Sequence, residues 1–178
     1  MGREYYVATR RALGIAAVLT FASSAALVLA QDRGAQKAGA YKDAARGFSM
    51  NPPAFKPGPD LGVGVIAIFM APPEDGFAAN VNLLIQKAGF DDFIKSSDAG
   101  FQAAGFDVQT KKLGKTGTHR SCEFVYKGAI QGKAMKFMAL AVENDDRVFL
   151  LTATSLEAHY DKYEPVFKDS LASFSLDK

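Results

Sequence analysis

The chain has 178 residues, 21 of them basic and 19 acidic, and a single cysteine. Neither charge sign dominates and no basic run occurs in the body of the chain, which argues against a nucleic acid as partner. One cysteine makes no internal disulfide, so the core alone must hold the fold.

The N-terminus opens with Arg3, Arg10 and Arg11, followed by an uncharged run from Ala12 to Ala30 that ends Val28-Leu29-Ala30. A basic start, an apolar stretch and small residues at a cleavage point are the pattern of a secretory signal peptide, expected over residues 1–30. The alternative is an uncleaved anchor, in which case the leader would be the only membrane contact. The leader holds three basic residues and Glu4, so its removal leaves 18 basic and 18 acidic side chains. Export then places the protein in the periplasm or outside the cell, or in a thylakoid lumen if the host is photosynthetic.

Residues 31–45, "QDRGAQKAGAYKDAA", are small, polar and unpatterned, and read as a flexible lead-in. A single domain is expected over residues 46–178. "GFSM" begins it as a short strand stopped by Asn51-Pro52-Pro53, because proline lacks the N–H that a sheet requires. Leu61–Met70 is an apolar, β-branched run and predicts a strand covered on both faces. Asn80–Gln86 alternates, with Val81, Leu83 and Ile85 on one face.

The period then changes. Phe90, Phe93, Ile94, Phe101 and Ala104 make a helical stripe, with Asp91 and Asp92 in the first turn and Gly105 placed to end it. Four strands follow, Phe106–Leu113, Ser121–Lys127, Lys133–Val142 and Arg147–Thr154, joined by links too short for parallel crossovers. A last helical stripe runs Leu156, Tyr160, Tyr163, Phe167, Leu171 and Phe174. The order β-β-β-α-β-β-β-β-α predicts an α+β fold, one antiparallel sheet covered by helices.

Chemistry is sparse. His119 and Cys122 are three apart in a strand, where such residues face opposite ways, so the pair reads as a surface histidine and a buried thiol. The alternative is a metal site, or a hydrolase-like site, built from His159 with Asp145, Asp146 or Asp161. No phosphate loop, dinucleotide fingerprint, zinc-protease motif or nucleophile elbow is found, and no catalytic residue or cofactor is assigned.

Three stretches resemble one family. "GFSMNPPAF" (Gly47–Phe55) is similar to the start of PsbP-like domains, with Phe55 where a tryptophan is usual. "NVNLLIQ" resembles the family's Asn-Val-x-Val strand, and "DRVFLLTATSLEAHYDKYEPVFKDSLASFSL" resembles its close. The likeness spans Arg46–Leu176. It implies an α/β/α sandwich with a central antiparallel sheet, a fold shared with DcrB-like proteins and a Ran-binding nuclear-transport factor. It implies a non-catalytic binding or assembly factor acting through a protein partner in the envelope or at a membrane complex. Photosynthetic members support the manganese–calcium cluster of photosystem II from the lumen, which is the alternative role. In this frame Phe55 is expected to fold back into the core.

Overall fold

The computed structural model describes residues 39–59 and 64–177. The expected leader, the first eight residues of the lead-in and residues 60–63 lie outside the described residues. The elements run β1 (Tyr41–Asp43), β2 (Phe48–Met50), β3 (Lys56–Pro57), β4 (Val65–Met70), β5 (Asn80–Lys87), α1 (Phe90–Ala103), β6 (Asp107–Thr116) and β7 (His119–Ile130). There follow β8 (Lys133–Asn144), β9 (Arg147–Leu156), a 3-10 turn (Glu157–His159), α2 (Tyr160–Ala172) and β10 (Ser175–Leu176).

Seven strands form one antiparallel sheet in the order β3-β4-β5-β9-β8-β7-β6, and β1, β2 and β10 form a small second sheet. The α+β architecture expected from the strand runs is the one observed. Because side chains alternate across a strand, β9 sends Phe149, Leu151 and Ala153 to one face and Val148 and Leu150 to the other. Both sets are buried, so both faces need a cover. On one face lie α2 and the small sheet, through Phe48, Met50, Tyr160, Phe167, Leu171 and Phe174. On the other lies α1, through Phe90, Phe93, Ile94 and Phe101.

Helix α1 ends as its sequence predicts. Gly105 takes a left-handed φ of 68°, Phe106 N–H donates to the Phe101 carbonyl and Gly105 N–H to that of Gln102. That is a Schellman cap, and the Phe101–Phe106 ring contact closes it. Phe106 then lies edge-on to Tyr126 and Phe137, whose rings stack at 4.6 Å.

Three expectations change. The lead-in was expected to run to Ala45, but Tyr41–Asp43 already form β1, paired with β2, and Tyr41 packs edge-on to Phe69. Leu156 was placed on the last helical stripe. It is instead the final residue of β9 and packs on the α1 face, because the chain needs the Glu157–His159 turn to change direction before α2 starts. Phe55 was expected in the core. It is only partly buried, packing at the margin of the α2-side core and meeting Tyr163 of α2 edge-on at 5.9 Å.

Gly128 of β7 makes room for this arrangement. A Cβ there would sit 2.1 Å from the Phe106 ring. Gly128→Ala is therefore expected to cost about 1–3 kcal/mol in chemical denaturation, the range for overpacking a filled core. In the double variant with Phe106→Leu the two costs should fall short of their sum, since the methyl then meets a smaller neighbour.

Candidate functional site

The densest group of titratable side chains gathers where the β4–β5 connection meets α2. That connection is pinched by a tight turn, with Glu74 and Phe77 exchanging backbone hydrogen bonds of 2.9 and 3.0 Å. Asp75 and Gly76 at its tip have φ of 51° and 72°, the left-handed pair that an Asp-Gly turn favours. Lys133 Nζ donates to the carbonyls of Asp75 and Gly76 at 2.9 and 3.1 Å. Lys162 Nζ donates to Glu74 at 2.6 Å and the Tyr163 hydroxyl to the same oxygen at 3.3 Å. His159 Nε2 lies 2.8 Å from Asp75 Oδ2, and its Nδ1 3.7 Å from Glu74 Oε1. The Lys162 hydrogen bond, and after it the nearby His159, hold the Glu74 carboxyl below its ordinary range.

Glu74, Phe77, Ala79, Ser155, Leu156, His159 and Tyr163 close around this point and leave no room for a water molecule. The arrangement can hold a loop against a helix. Its polar groups pair with one another, while the Asp75 and Lys162 side chains remain open to solvent.

The structure separates the metal set read from the sequence. Asp145 and Asp146 sit in the β8–β9 turn, where Asp146 pairs with Lys87 at 3.3 Å. His159 follows the far end of β9, a ten-residue strand, so about 30 Å of extended chain lies between them. Asp161 is in the first turn of α2, but the carboxylates on His159 are Glu74 and Asp75. A hairpin turn and the end of its second strand are near in sequence and opposite in space. Glu74 and Asp75 are 85 and 84 residues from His159, beyond the reach of any local pattern. Among the described residues no three His, Cys, Asp or Glu side chains are arranged to hold a metal.

Cys122 is buried on the α1 face, and burial pushes its thiol above the ordinary value. His119 starts β7 opposite Thr116. Two further features were invisible in the sequence. A shallow groove of about 190 Å³ lies between Asn51, Pro52 and Pro53 and the α2 residues Val166, Asp169 and Ser170. The outermost strand β6 carries Val108 and Leu113, the exposed large hydrophobic side chains among the described residues.

No family model matches the sequence, and no curated protein is similar to it in sequence. Solved structures are similar in fold. CyanoP, the cyanobacterial PsbP of Synechocystis, aligns with a TM-score of 0.60 at 15% identity, over 80% of this chain and 95% of its own. The fold is PsbP-like. LpqN of Mycobacterium tuberculosis, described as involved in cell envelope biogenesis, aligns at 0.57 and 12% identity over 74% of this chain and 83% of its own. A Pseudomonas aeruginosa protein of unknown function aligns at 0.51 and 18% identity over 57% and 75%. The segments that carried the resemblance meet in this PsbP-like fold. Phe48 of the opening stretch, Phe149 of β9 and Phe174 of the close contact one another with ring centroids 5.7–5.9 Å apart. β10 pairs directly with β2.

Two measurements follow from the α2 side. Tyr160 is 1% exposed, and its hydroxyl has no hydrogen-bond partner. Burial, and then the charges of Glu164 and Asp161, push it up to about 12 from 10.0. The folded state keeps a proton that the unfolded chain loses first, so this contribution is whole below pH 10 and disappears as pH rises through about 12. The denaturation midpoint should fall over that interval, less steeply in Tyr160→Phe, which at neutral pH should be neutral or stabilising. Phe55→Ala should cost about 1–3 kcal/mol in the same assay, below the 3–5 of a fully buried phenylalanine.

Proposed function

We propose that this chain is an exported, non-catalytic binding or assembly factor that works through contacts with a protein partner in the cell envelope or at a membrane complex. The observation that carries this reading is the state of the polar groups. The corner at Glu74, Asp75, His159 and Lys162 holds no enclosed cavity, and its charges are used in tying the β4–β5 turn to α2. A catalytic centre needs a reactive group with room for a substrate beside it. The fold neighbours support the same reading, since one is a PsbP and another is described as involved in cell envelope biogenesis. Export rests on the sequence of residues 1–30. Among the described residues no helix is long and apolar enough to cross a membrane.

The test is affinity recovery of the tagged chain from mild detergent extracts of its host's envelope. The expected result is a chain whose N-terminus is Gln31, together with a specific protein that rebinds the purified chain in calorimetry. A chain found only in the cytoplasm with Met1 intact, or no rebinding partner under several detergents, would overturn the proposal.

A further inference from the structure

The two edges of the large sheet are finished differently. At one end stands β3, two residues long and containing Pro57, which has no N–H to offer a neighbour. A short strand with a proline is a common way to keep a sheet edge from pairing. At the other end stands β6, ten residues without a proline, paired on one side with β7 and with nothing on its outer side among the described residues. A long open edge presents a row of backbone donors and acceptors to any extended chain.

Its side chains are unusual for an edge facing water. Leu113 is 63% exposed and Val108 38%, and no other large hydrophobic side chain among the described residues is exposed. Their cross-strand partners are Cys122 and Tyr126, both buried beneath α1, so Leu113 and Val108 lie on the α1 side of the sheet. The one irregularity, a register shift between Val108 and Thr110, leaves Thr110–Thr116 in continuous register. The strand also carries Lys111, Lys112 and Lys115 against one acid, Asp107. Lys111 is engaged by Asp98 of α1 at 2.6 Å. Lys112 stands across from Glu123 and Lys115 across from Arg120 on β7, and neither lysine makes an ion pair among the described residues.

We infer that the outer edge of β6 is a strand-addition site for an extended acidic segment of a partner protein. This rests on the binding-factor reading above and names the surface that would serve it. Backbone hydrogen bonds along Thr110–Thr116 would supply attraction, and alternate side chains would supply selectivity. An added strand would turn apolar residues toward Val108 and Leu113 and acidic residues toward Lys112 on the opposite face, with Lys115 adding attraction near the strand's end. For a second copy of this chain, two-fold self-pairing centred on Lys112 sets that lysine against itself, and centring on Leu113 sets Lys111 against Lys115, so those two registers oppose like charges.

The experiment titrates the full chain with peptides as long as β6: alternating Val and Glu, alternating Val and Lys, and a proline-interrupted form of the first. The Val/Glu peptide should bind, should slow hydrogen exchange at β6 amides, and should weaken as salt is raised. Lys112→Glu with Lys115→Glu, and separately Leu113→Glu, should each weaken it more than tenfold. Circular dichroism and denaturation should confirm that these exposed substitutions leave the fold intact. Equal binding of the Val/Lys or the proline-interrupted peptide, protection away from β6, or no binding would overturn the assignment. So would a dimer of the free chain that Leu113→Glu dissolves, which would give the edge to a second copy. An envelope partner that binds these variants as well as the unaltered chain would also overturn it, while leaving the binding-factor reading in place.

Discussion

The constraint on which the rest depends is that β8 and β9 are buried on both faces. Their register sets Leu140 beside Leu151 toward α2, and Ala141 beside Leu150 toward α1. A strand pair that is apolar on both sides cannot leave either side to water, so the chain must supply two covers. Without a disulfide, the stability of the domain comes from this double burial. The aromatic side chains are distributed accordingly: Phe48, Phe149 and Phe174 fill one face, and Phe101, Phe106, Tyr126 and Phe137 the other. Offset and edge-on contacts among such rings add roughly 0.5–1.5 kcal/mol each beyond the area they bury.

The charged residues work at the margins of those layers. Arg120 pairs with Asp91 in the first turn of α1 and lies over the Phe90 ring at 4.8 Å, so one guanidinium ties β7 to the start of that helix. Lys111 to Asp98 and Lys127 to Glu157 make similar links between strands and the segments that follow or cover them, and Lys162 to Glu74 ties α2 to the β4–β5 connection. Exposed pairs of this kind contribute about 0–1 kcal/mol each. Their importance is positional. They decide where loops and helix ends lie on layers that apolar packing has already brought together.

That division separates the paired corner from the open edge. At the corner around Glu74 and His159, Lys162 of α2 pairs with Glu74, the His159 ring meets Asp75, and Lys133 of β8 donates to the backbone of the β4–β5 turn. Along β6 the backbone, two lysines and two apolar side chains are left facing outward. The first arrangement spends its interactions inside the domain, and the second holds them available to another chain.

Much of the fold was legible because it is periodic. The alternation in Asn80–Gln86, the helical stripe from Phe90 to Phe101, the placement of Gly105 and the hairpin links all became the elements they predicted. Periodicity is a local property, and each of those residues reports its own neighbourhood. The limits appeared where two distant stretches had to meet. Asn82 alternates like a solvent-facing residue yet is 7% exposed, since only the assembled sheet shows that its face is covered. Asp145, Asp146 and His159 looked adjacent and lie at opposite ends of a hairpin, while Glu74 and Asp75 looked remote and touch the histidine ring. Leu113 gave no sign in the sequence of being exposed, because its exposure follows from β6 being the last strand of the sheet. Local pattern was enough for the long hairpin strands, the two helical stripes and the absence of a disulfide, but not for the short strands β1, β3 and β10. Tertiary structure alone decided which charges would be neighbours and which strand would remain an edge, because both depend on contacts between residues far apart in the chain.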